Sequence, residues 1–76
     1  MHADQPEWIL RAQQAIGRRV QAARMDANLT QEKLAERTGI SRTTVQSIEA
    51  GRNDPKMSHL LLIARAVDVS IHDLIP

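Results

Sequence analysis

The chain has no cysteine, no tyrosine and no phenylalanine, and a single tryptophan, Trp8. Without cysteine there is no disulfide, no thiolate zinc site and no cysteine nucleophile. A small chain that folds without such staples fits the cytosol. With one aromatic ring, a stacking platform for single-stranded nucleic acid is all but excluded. No apolar run approaches the ~20 residues that cross a bilayer, and no signal peptide is visible, so a cytoplasmic protein without membrane contact is expected. His2, His59 and His72 lack metal-ligand spacing, and no carboxylate cluster joins them, so neither a metal nor another cofactor is expected. No base–nucleophile arrangement is signalled among the serines. A small helical unit without a deep cleft is a poor enzyme, and none is expected here.

What is present amounts to one domain, 76 residues at 8.5 kDa with a formal charge of +1. The charge is unevenly distributed. Arg18 to Lys56 holds eight basic and five acidic side chains, net +3, and the remainder is net −2. The positive charge therefore sits in one block, a modest electrostatic footprint. Leu, Ile, Val and Ala are left to build the core, which suits packed helices better than a sheet.

Residues 1–6 read as a loose start, with Pro6 acceptable in a first helical turn. From Glu7, Ile9, Ala12, Ile16, Val20, Ala23 and Ala27 recur at steps of three and four, one face of a helix. Asn28 is a left-handed terminator. Thr30 caps a short second helix through Thr38, with Leu34 and Ala35 inward, and Gly39 breaks it. Ser41 caps a third through about Ala50, with Val45 and Ile48 inward, and Gly51 ends it. Asn53, Asp54 and Pro55 form a turn. A fourth helix runs from about Met57 to Val67, its stripe being Leu60, Ile63, Ala64 and Val67. Ser70 and Asp73 have capping-box spacing, which predicts a last short helix over Ser70–Ile75. The expectation is an all-α, compact five-helix domain over 1–76, with 1–14 extending the first helix.

The informative spacing lies between Gln31 and Ile48. Two short helices crossing steeply need a small residue where their axes approach, and Ala35 supplies it. Their turn needs a residue tolerant of positive φ, which Gly39 is. Val45 and Ile48 plug the second of these helices onto the first. This is a helix-turn-helix over residues 30–50, whose second helix can enter the major groove.

The stretch TQEKLAERTGISRTTVQSIEAGRNDP, with LLLIARAVDVSIHDLI after it, resembles the Cro and lambda-repressor-like (XRE-type) helix-turn-helix family. The resemblance covers about residues 15–75. In size the chain is similar to phage-type repressors and to the controller proteins of restriction–modification systems. It departs from the family pattern at Lys56, where Ser or Thr usually caps the fourth helix, and at Asp68, where Gly usually ends it. Both positions are at helix ends, away from the DNA face.

The resemblance implies roles for individual residues. Arg42, Thr43, Gln46 and Ser47 face the groove floor. Arg42 matches the O6 and N7 of a guanine, and Thr43 meets a thymine methyl or donates one bond. Gln31, Ser41, Thr44, Arg52 and Asn53 contact phosphates, Gln31 at a helix start that favours anions. Arg24 and Glu49 pair across the first and third helices and hold the recognition helix in place.

The function expected is a sequence-specific regulator of transcription on double-stranded DNA, which blocks or recruits RNA polymerase. One recognition helix reads too few base pairs to find a site among ~10⁶ or more competitors. A homodimer on a two-fold operator, with half-sites ~34 Å apart, answers this. Leu62, Val69, Ile71, Leu74 and Ile75 are the expected interface, unless that patch closes the core of a monomer. The alternative class is an antitoxin that neutralises a protein toxin and binds its own promoter; only residues 1–14 are spare for a toxin, which argues mildly against it. Trp8 either caps the core or meets a partner. A pure protein-interaction module fits less well, because Gln31, Arg42 and Arg52 share the side expected to face DNA.

Overall fold

The computed structural model describes residues 5–76. The expected loose start at 1–4, His2 included, lies outside them. Four α-helices follow in order, α1 (Glu7–Asp26), α2 (Gln31–Thr38), α3 (Arg42–Ala50) and α4 (Met57–Ala66), and then a 3₁₀ turn, Ile71–Asp73. Among the described residues the fold is all-α, with four α-helices rather than the expected five helices. The capping box at Ser70 is present, with the Ser70 N–H donating to Asp73 at 3.1 Å. It closes only one short turn: Asp73 N–H donates to Ser70 O and Leu74 N–H to Ile71 O, each three residues back, and Ile75 N–H shares Ile71 O.

Local chemistry places the helix ends. Pro6 stands just outside α1 as its N-cap. The Thr30 hydroxyl accepts from Lys33 N–H and the Ser41 hydroxyl from Thr44 N–H, so α2 and α3 start on satisfied donors. Gly39 turns the chain at φ 76°, where a Cβ would be strained. Asn28 and Asp68 take the same left-handed conformation at 60° and 59°. After each, the chain closes a Schellman pair: Leu29 N–H donates to Arg24 O, and Val69 N–H to Ala64 O. The first of these folds Leu29 back into the core. Asp68 thus makes the turn for which the resemblance leads one to expect glycine. Lys56 occupies the N-cap of α4 and makes no side-chain cap bond.

One apolar cluster holds the elements together, with Val20 from α1, Leu34 from α2, Val45 from α3, Ile63 from α4 and Leu74 after the last turn fully buried. α1 packs chiefly on α3, and α2 on both α3 and α4. Gly17 makes the α1–α3 approach possible: a Cβ there would lie 2.6 Å from Glu49 O. α1 is long, about 30 Å, and its opening turns project from the cluster with Trp8 70% exposed. Among the described residues no helix is long and apolar enough to cross a membrane.

Candidate nucleic-acid interface

The face of α3 opposite the core is built by its own periodicity. Val45 and Ile48 are buried, so Arg42, Thr43, Gln46 and Ser47 form one outward stripe. Arg42 and Thr43, on the first turn, are exposed, while Gln46 and Ser47 are half-buried. Beside them the Ser41 hydroxyl donates to Thr44 Oγ1 at 2.8 Å while accepting from Thr44 N–H at 3.1 Å. Ser41 is therefore spent on the helix start, and Thr44 keeps its own O–H to donate. Arg52 and Asn53 are exposed on the segment between α3 and α4. A cleft of about 240 Å³ opens there, lined by Thr44, Asn53, Lys56 and His59 among others. The cleft takes Thr44 and Ile48 from α3 itself and the rest of its lining from the segment and helix that follow.

Glu49 governs how α3 is held. Its carboxylate accepts from Arg24 Nε at 2.7 Å and from Arg24 Nη2 at 3.1 Å. A third donor, Gln31 Nε2, reaches Glu49 Oε1 at 3.0 Å. Arg24 also donates from Nη1 to Leu29 O at 2.7 Å. The ion pair is withdrawn from water, with side-chain exposures of 12% for Arg24 and 3% for Glu49. Three hydrogen bonds from Arg24 and three to Glu49 offset the cost of burying the charges, though the net stabilisation of such a pair is small. The structure thus brings Arg24, Gln31 and Glu49 together. Gln31, expected at a phosphate, spends one amide N–H on Glu49 and has a second left.

The residues expected at a dimer interface separate into three groups. Leu62 is 43% exposed on α4. Val69, Ile71 and Ile75 are half-buried against the core. Leu74 is fully buried and cannot serve an interface. The 3₁₀ turn aims it inward, where it completes the cluster with Val20 and Ile63.

Several contributors carry weaker signals in the sequence. Thr38 Oγ1 donates to Leu34 O at 2.8 Å and accepts from Ile40 N–H at 3.2 Å, which stiffens the turn between α2 and α3. Gly17 could have been suspected, since a glycine inside a helical pattern has either a packing reason or a cost. Met57 and Leu61 are exposed together with Leu62. In the run Leu60–Leu62 only Leu60 can face the core, so the run itself was the signal.

Comparison with known proteins agrees with this geometry. The helix-turn-helix family model matches residues 20–74. An HTH-type transcriptional regulator of Methanocaldococcus jannaschii is 45% identical over 47 residues, covering 62% of this chain and 71% of that protein. The immunity repressor protein of Bacillus phage phi105 is 33% identical over 60 residues, 79% of this chain but 42% of the repressor. The crystal structure of the restriction–modification controller protein C.AhdI from Aeromonas hydrophila superposes with a TM-score of 0.78 at 29% identity, covering 82% of this chain and 94% of that one. The family match over most of the chain and the superposition on a controller protein place the chain in the XRE-type helix-turn-helix family of DNA-binding transcriptional regulators, with phage repressors and restriction–modification controller proteins among its relatives.

Proposed function

We propose that the protein is a sequence-specific regulator that binds a two-fold operator in double-stranded DNA as a homodimer and acts by blocking or recruiting RNA polymerase. The observation that carries this reading is the exposed start of α3, where Arg42 and Thr43 stand free on a helix whose other side is locked into the core. Arg42 reads a guanine through its planar fork, and Thr43, Gln46 and Ser47 read neighbouring bases. Arg52, Asn53, Thr44 and the remaining amide N–H of Gln31 bind the flanking phosphates. The partner protomer meets the outer side of α4 at Leu62, joined by Met57 and Leu61, with Val69, Ile71 and Ile75 at the border. The long exposed start of α1 around Trp8 is what favours the second reading, an antitoxin, since a protein toxin would cover it.

Selection of bound fragments from random duplexes tests the main reading and yields the half-site spacing. On the best fragment, Arg42→Ala is expected to lose about 1–3 kcal/mol and to relax one base position. Arg52→Ala is expected to weaken all duplexes alike and to lower the salt slope by about 1. A selection that enriches no sequence refutes the reading. Recovery of a stoichiometric protein partner that releases DNA would favour the antitoxin.

A further inference from the structure

The α2–turn–α3 unit is a wedge hinged at Gly39–Ser41. Its two open ends are the start of α2 and the end of α3, and the bond from Gln31 Nε2 to Glu49 Oε1, 3.0 Å long, joins them. Arg24 holds the same carboxylate from α1 and the chain between α1 and α2 through Leu29 O. Arg24 ties Glu49 to α1 and to Leu29, just before α2 begins, whereas Gln31 is the side chain of α2 itself that holds the same carboxylate. The angle between α2 and α3 sets the base-reading stripe relative to the phosphate-binding residues.

We infer that Gln31 is a positioning residue for base reading, acting on the recognition helix through Glu49; this rests on the proposed reading of α3 as the base-contacting helix. Three features carry it. The Glu49 side chain is only 3% exposed, so water does not readily replace a lost donor, and a charged acceptor in low dielectric rewards each donor strongly. Glu49 lies roughly 12 Å along α3 from the hinge at Ser41, so a change of wedge angle displaces the far part of the helix most. Gln46 and Ser47 occupy that far part, and Arg42 sits near the hinge. Gln31 therefore governs the positions read by Gln46 and Ser47 more than the position read by Arg42. Its second amide N–H remains for a phosphate, which ties backbone contact at α2 to the pose of α3 through one side chain.

The experiment compares wild type, Gln31→Met and Gln31→Lys on the selected operator and on random duplex at one salt concentration. Met keeps the length of the side chain and removes the donor; Lys restores a donor to Glu49. Gln31→Met is expected to weaken operator binding about tenfold, the scale of one hydrogen bond to a charged group, with random-duplex binding weakened only about twofold to threefold through the lost phosphate contact. The preference lost should lie at the bases read by Gln46 and Ser47. Gln31→Lys should restore the operator-to-random ratio to within about twofold of wild type. Equal losses on both duplexes overturn the inference and leave Gln31 a phosphate contact alone, and so does an unchanged ratio. Amide spectra of the free proteins separate this from failure of the functional reading. If wild type prefers no duplex, the functional reading falls and the base-reading role of Gln31 falls with it; if wild type does prefer the operator, Gln31→Met must also shift amides along α3 as well as at the start of α2. Shifts confined to α2 overturn it.

Discussion

Gln13 is 5% exposed, and neither its amide nitrogen nor its amide oxygen has a partner among the described residues. A buried amide without partners costs on the order of 1–3 kcal/mol. Gln13→Leu, close in volume, is expected to stabilise the fold by about that amount, which in a chain of this size raises Tm by roughly 4–8 °C per kcal/mol. An unchanged or lower Tm would show that the amide is satisfied. Gly17 makes the opposite case. Ala is the better helix former by about 1 kcal/mol, yet a Cβ at this position overlaps the backbone of Ile48 and Glu49. Backbone cannot step aside as a side-chain tip can, so Gly17→Ala is expected to destabilise by about 1–3 kcal/mol. Denaturant midpoints decide between propensity and clash.

The helices differ in how their starts are satisfied, and the differences are measurable. α2 and α3 begin on Thr30 and Ser41, each accepting from the backbone N–H three residues on. Ser41→Ala is expected to cost about 1 kcal/mol and to loosen the first turn of α3, where Arg42 and Thr43 stand. α4 begins on Lys56, which offers its first N–H groups no acceptor. Lys56→Ser is therefore expected to gain about 0.5–1 kcal/mol. A loss on Lys56→Ser would mean that the lysine contributes through its stem packed over the apolar surface. The two variants together test whether caps act locally, since the effects of sites far apart should add.

For the whole molecule the question is which apolar surface remains once the core is complete. Met57, Leu61 and Leu62 are exposed along α4, and Leu74 is withdrawn completely. The distinction yields opposite outcomes for two similar substitutions. Leu62→Glu is expected to weaken self-association and operator binding at low protein concentration while leaving the helical signal intact. Leu74→Glu buries an unpaired charge, against a total stability of about 5–15 kcal/mol, and is expected to unfold the chain. Sedimentation at micromolar concentration with circular dichroism reads both. A wild type that is monomeric, free and on a palindromic duplex, would remove α4 from any interface.

The helix ends and the outward stripe were legible residue by residue, because their causes are local. Thr30, Ser41 and Ser70 cap through side chains that reach only two or three residues along the chain. Asn28 and Gly39 adopt left-handed φ at little steric cost. The alternation that buries Val45 and Ile48 leaves Arg42 and Gln46 outside by helical geometry alone. The direction of Leu74, the partner of Gln31 and the need for Gly17 were not legible. Each depends on what stands opposite: the cluster beneath the last turn, the carboxylate at the end of α3, the backbone at Ile48 and Glu49. A sequence period says which side chains share a face, and only the packed helices decide what that face meets.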